Sequence, residues 1–183
     1  FRAIGDKGRY RDALGIAASG AWLFGRTALC ETWFRAHVAT HAADERSLGL
    51  AWAWGWLGAA ALRRDDPATA LDLLERSIAA ETGTSGTDIT GIARQGWLAL
   101  ALHRLGLTSA ATAEDATWTR IRATGGRPAG HPVIDGYLAL WEIVRDRLDA
   151  APNPGARTAA REQARELVAY LDRYRKVYPV GRS

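Results

Sequence analysis

The sequence predicts an all-α chain of about four helix-turn-helix hairpins stacked as a right-handed superhelix. Three observations carry this. First, LGIAASGAWLFG (14–25), WGWLGAAALRRD (54–65) and QGWLALALHRLG (95–106) align without gaps, with starts 40 and 41 residues apart. Self-similarity at such a period marks an array in which no single hairpin can bury its own apolar face. Second, the segment after each copy spaces its apolar residues by three and four, as Leu71, Leu74 and Ile78 do in the second. Third, no long stretch alternates apolar and polar residues with a period of two, so strands find no support.

The elements follow in order. Residues 8–24 hold the first copy, and RTALCETWFRAHVATH supplies its second helix over 27–41. Residues 44–64 hold the second copy. Asp66-Pro67 then opens 67–82, because Asp caps a helix and proline fits the first helical position, where its missing N–H is not needed. The third copy occupies 87–105 and is followed by 108–124. Gly83, Gly86, Gly106, Gly125 and Gly126 fall between segments, where helices end. The last two helices are expected at 132–149 and 156–177.

Each copy carries glycine at its second position, Gly15, Gly55 and Gly96, at a helical cost of about 1 kcal/mol relative to alanine. Recurrence at one place implies close approach of a neighbouring helix or ligand to the backbone. On the same helices, Trp52 and Trp56 are four apart and share a face, while Trp54 points elsewhere. Trp54 and Leu57 are therefore assigned to the packing between the helices of a hairpin. Trp52 and Trp56 are assigned to an inner, concave surface. That surface is expected to comprise Asp12, Ile16, Ser19 and Trp22, then Trp52, Trp56, Ala59 and Arg63, then Trp97, Leu100, His103 and Arg104. Its aromatics would supply contact area, and Arg63 and Arg104 would fix a carboxylate. The competing assignment, in which all eight tryptophans are core, stays open.

The second unit, WGWLGAAALRRDDPATALDLLERSIAAE, resembles a tetratricopeptide (TPR) repeat in Trp54, Leu57, Gly58 and Ala61, in Ala70 and Leu74, and in the Asp65-Asp66 turn. The third unit keeps Leu98, Ala99 and Gly106 but has Gln95 where Trp54 stands. The first keeps Gly25 and Phe34 and places Cys30 where a small alanine is usual. The period exceeds the usual 34 of that family and resembles the longer repeats attached to bacterial signalling ATPases. HEAT-type repeats are the alternative, and the Trp-Leu-Gly run argues against them. GYLALWE (136–142) with RELVAYLDRYRKVYPVGRS (165–183) is similar to the end of the repeat region in multidomain bacterial class III adenylate/guanylate cyclases. That resemblance implies an accessory module, because neither the cyclase metal-binding aspartates nor a G-x-x-x-x-G-K-[ST] phosphate loop is present.

Composition sets the remaining bounds. At 183 residues, 48% apolar and 24% charged, the chain is ordinary globular material, expected to form one repeat domain over 1–183. It opens on Phe1 and contains no methionine, as a fragment of a longer protein would. No apolar run reaches the length of a membrane span, and no signal segment opens the chain. One cysteine, Cys30, makes no internal disulfide, which favours a reducing cytoplasm. Residues 157–183 carry seven Lys/Arg against three acids, which accounts for the whole net charge of +4. An excess confined to one terminal segment does not resemble the spread basic face of a nucleic-acid binder.

The candidate chemistry is thin. His37 and His41 are four apart and could share a metal, but no cysteine or carboxylate completes a recognisable ligand set. Two solvent-touching histidines near a helix end are the plainer account. Cys30 has no histidine at a partner position and is expected to be a small buried residue. Tyr170, Tyr174 and Tyr178 form a stripe expected to pack on the Trp141 helix. No metal, cofactor or catalytic residue is assigned. The expected function is a scaffold for a protein or peptide segment, other domains of the same parent chain included. The rivals are a sensor of a small apolar ligand or signal peptide that controls an attached cyclase or ATPase, and an all-α enzyme.

Overall fold

The computed structural model describes residues 6–42, 45–81, 89–125, 130 and 133–177. Among them are eight α-helices and no strand: α1 (Lys7–Leu23), α2 (Thr27–Val38), α3 (Leu48–Arg63), α4 (Pro67–Ala80), α5 (Ile89–Arg104), α6 (Ala110–Ala123), α7 (Val133–Asp149) and α8 (Pro154–Val177). The chain divides into two compact units, residues 1–84 and 85–183, each holding two consecutive hairpins.

The three aligned copies end in one and the same turn. After α1, the Arg26 N–H donates to the Ala21 carbonyl and Gly25 N–H to that of Trp22. After α3, Asp66 and Asp65 make the equivalent bonds to Ala61 and Leu62, and after α5, Leu107 and Gly106 make them to Leu102 and His103. This is the Schellman closure, which needs a left-handed residue at its centre. Gly25 (φ 70°), Asp65 (φ 59°) and Gly106 (φ 67°) supply it at the expected spacing. Asp66 then caps α4 by accepting from the Thr69 N–H at 3.1 Å, with Pro67 in the first turn.

In the first unit, α3 packs on both α2 and α4. It is apolar from Leu50 to Leu62 and mostly buried, with Trp52 and Trp54 half-covered. Its α4 face rests on Gly58, where an added Cβ would lie 2.7 Å from Leu74 Cγ. In the second unit, α5 packs on α6 and α7, and α7 on α8. The α5–α7 crossing is a backbone contact: a Cβ on Gly96 would lie 2.8 Å from the Gly136 Cα and 2.9 Å from its carbonyl oxygen. A Cβ on Gly136 would lie 2.6 Å from the Ile92 carbonyl oxygen. The close approach expected at Gly96 is present, and a neighbouring helix makes it.

Cys30 is fully buried in the first hairpin, as expected for a small core residue. Burial pushes its thiol up to about 11, against a smaller opposing pull from Arg63. The folded chain should therefore give no reaction with Ellman's reagent at pH 8, and one equivalent once unfolded in guanidinium. Because the folded thiol titrates above the unfolded one, its contribution to stability is whole below pH 9 and is lost as pH rises towards 11. A fast-reacting native thiol would contradict this.

Candidate functional site

The aromatic surface expected on the inner side of the helices is a buried cluster in the first unit. The Trp56 ring on α3 meets Trp22 of α1 edge-on at 5.1 Å between centroids and lies parallel to Phe34 of α2 at 6.1 Å. Both Trp22 and Trp56 are 4% exposed. The Arg63 guanidinium lies 3.4 Å from the Trp22 ring centroid and also donates to Thr27 Oγ1. The expectation that Trp22 and Trp56 present open faces is thus corrected. Trp56 is covered by Trp22 and Phe34 of the preceding hairpin, and Trp22 in turn by Trp56 and Arg63 of α3. Ala59 is buried with them.

Trp54, assigned to the hairpin core, is the less covered ring. It is half-buried against the cluster of Leu50, Ala51 and Ala80, with Arg76 of α4 over it at 5.4 Å. Leu57 and Gly58 occupy the tight part of the α3–α4 contact, one turn further on, and Trp54 falls at its margin. Trp52 is also half-buried, and its buried Nε1 has no hydrogen-bond partner among the described residues.

In the second unit, Trp97 and Leu100 on α5 are buried as well, at 6% and 4% exposure, so they too are corrected from surface to interior. His103 and Arg104 reach across to α7. His103 Nε2 lies 3.3 Å from Asp146 Oδ2, and Arg104 Nη2 lies 2.6 Å from Glu142 Oε2. The carboxylate that Arg104 holds belongs to this chain. Trp118 on α6 donates to Glu114, which is buried and ion-paired to Arg147 of α7.

Two of the expected residues remain at the surface in a line. Asp12 and Ile16 lie on the exposed side of α1, and Ile16 is 75% exposed. Leu23 continues the line, followed by Phe24 just past the helix, 84% exposed. Spacings of four and seven put Asp12, Ile16 and Leu23 on one side of the helix, and Phe24, at the C-cap, extends the apolar surface past the helix end. Gly20 lies between Ile16 and Leu23, with nothing within 4 Å of an added Cβ. Ser19, expected beside them, turns back to donate to the Gly15 carbonyl. Leu23 and Phe24 escaped notice in the sequence because LFG reads as the apolar end of a core helix. Their signal was position: both sit at the Schellman turn, beyond the reach of α2's packing face.

The last helix contributes differently. Tyr170 stacks on Tyr137 of α7 at 5.8 Å, as expected of the stripe, and Tyr174 donates to the Gly130 carbonyl ahead of α7 at 3.1 Å. Tyr178 lies outside the described residues. Arg122 of α6 clamps Glu166 through Nε and Nη2 at 3.0 and 2.9 Å. That guanidinium holds the Glu166 carboxyl below its ordinary value, against an opposing effect of desolvation. Arg161, Arg165, Val168 and Asp172 line a shallow outer face of α8.

His37 and His41 are not the solvent-touching pair that was expected: both side chains are buried, and their ring centroids are 5.0 Å apart. Among the described residues, no group of three or more His, Cys, Asp or Glu side chains is placed to hold a metal ion. Among the same residues, no helix is long and apolar enough to cross a membrane. No family model, curated protein or solved structure matches the chain.

Proposed function

We propose that the chain is a non-catalytic interaction module, a TPR-like scaffold whose hairpins stack as a right-handed superhelix and which docks an amphipathic helical segment of a protein. The segment belongs to a separate partner or to another part of the parent chain. The supporting observation is the exposed line of Ile16 and Leu23 on α1, with Asp12 at its head and Phe24 exposed just past its end. Large apolar side chains exposed together, rather than singly, mark interaction surfaces. A line along one helix suits a second helix laid beside it, with anchors at three- and four-residue spacing. The tryptophans then act by holding α1, α2 and α3 together beneath that surface.

The test is selection of 16-residue peptides from a phage-displayed random library on the immobilised chain. Enriched peptides should carry apolar residues in helical phase. Binding of their synthetic forms should weaken at least tenfold, about 1.4 kcal/mol, in the double variant Ile16→Asp/Phe24→Asp, with the unfolding midpoint unchanged. No enrichment, or equal binding to the variant, would remove the reading. A dimer in sedimentation equilibrium that the variant abolishes would instead give the surface to a second copy of the chain.

A further inference from the structure

The buried histidines sit apart from the α1 surface and have an arrangement of their own. His37 Nδ1 lies 3.0 Å from the backbone carbonyl of Arg11 on α1. A carbonyl only accepts, so Nδ1 carries the ring hydrogen and a neutral His37 keeps its lone pair on Nε2. On His41, Nδ1 lies 2.8 Å from Glu45 Oε1. Arg11 grips the same carboxylate with both terminal nitrogens, at 3.0 and 3.1 Å. That two-pronged grip keeps Glu45 a carboxylate, so the hydrogen at the His41 Nδ1–Glu45 contact belongs to Nδ1, in an ion-pair contact rather than an aligned hydrogen bond. The two Nε2 atoms then face each other at 3.1 Å. Two lone pairs at that distance repel unless a cation lies between them.

We propose that His37 and His41 form a site for one borderline divalent transition-metal ion, Zn²⁺, Ni²⁺ or Cu²⁺, bound through the paired Nε2 atoms. Imidazole nitrogen is the donor that suits these ions. Zn–N bonds of about 2.0–2.1 Å at a tetrahedral angle separate two ligand nitrogens by roughly 3.4 Å, a few tenths more than the distance found. Each ring is oriented from behind, one by a backbone carbonyl and the other by a carboxylate, as ligating histidines are. The pair lies at the C-terminal end of α2, where the last carbonyls favour positive charge. Arg11 is the nearby opposing charge, and Glu45 neutralises it. Gly49, at the exposed start of α3, faces His37 Nε2, and a Cβ there would lie 3.4 Å from it. A glycine at this point keeps a side chain from closing over the buried ring, so that water or an outside ligand would complete the coordination.

The experiment uses the EDTA-stripped chain at pH 7.5. Zn²⁺ titrated by calorimetry should bind at one saturable site. His103→Gln should leave that site unchanged, and His37→Gln and His41→Gln should each weaken it at least tenfold, with far-ultraviolet circular dichroism confirming that both variants fold. The unmodified chain gives a second readout, in which substoichiometric Cu²⁺ should broaden the ring Hε1 resonances of His37 and His41 before those of the other two histidines. If no saturable binding occurs, or binding is indifferent to both replacements, the pair shares only a proton and the proposal is overturned. Uniform broadening of all four histidines overturns it equally.

Discussion

Truncating Trp56 to alanine should lower folding stability by about 3–5 kcal/mol, the range for a buried aromatic lost from a core. Its ring is the middle member of a three-helix cluster, edge-on to Trp22 and parallel to Phe34. Removing it strips contacts from α1 and α2 together, and the cavity left is walled by rings that cannot collapse into it easily. Trp54→Ala should lose roughly 1–2 kcal/mol, because that ring is half-buried and part of its area already faces water. Arg76 above it adds little at an exposed site. Chemical denaturation followed by far-ultraviolet circular dichroism orders the two variants. A Trp54 loss equal to or above the Trp56 loss would contradict the burial on which the cluster rests.

Gly96→Ala is the second large effect, and a single methyl group produces it. Helix propensity alone would favour alanine by about 1 kcal/mol. Against this, the new Cβ would stand 2.8 Å from a backbone carbon of Gly136, and backbone cannot rotate out of the way as a side chain can. Overpacking costs typically 1–3 kcal/mol, and against rigid backbone it should reach the upper end, so after the gain in propensity the variant should lose about 2 kcal/mol net. Gly136→Ala should behave alike, since its Cβ would meet the Ile92 carbonyl. The double variant should lose less than the sum, because one separation of α5 from α7 relieves both clashes. A raised denaturation midpoint for either single change would mean that the helices are not in backbone contact.

The helices were legible because the pattern that specifies them is local and repeated. All eight appear where periodicity and punctuation place them, and the misses are at caps. The third helix was expected from residue 44 but starts at Leu48, where Ser47 accepts from the Leu50 N–H at 3.2 Å. The last was expected from 156 but starts at Pro154, with Asn153 accepting from Ala156. The surface was less legible, for a physical reason. Helical phase correctly put Trp54 and Trp56 on different sides of α3, but phase says which residues share a face and nothing about what lies against it. The side given to an open groove is the one that α1 and α2 cover. The histidine pair shows the same limit. A spacing of four is visible in the sequence, whereas the Arg11 carbonyl that orients His37 comes from another helix and has no sequence signature.

The glycine crossing of α5 and α7 also restricts how the second unit can deform. Helices separated by a layer of side chains can shear, because rotamers on both sides readjust as the axes slide. At Gly96 and Gly136 no such layer exists. Any translation along the axes would drive the neighbouring side chains, Ile92 among them, onto backbone that has no room for them. The contact works as a pivot: the two helices can rock about it by small angles but cannot change register. Strain applied at one end of α5 would be passed to α7 as rotation, and the bridges from His103 and Arg104 to Asp146 and Glu142, two and three turns from the pivot, would be the first to stretch.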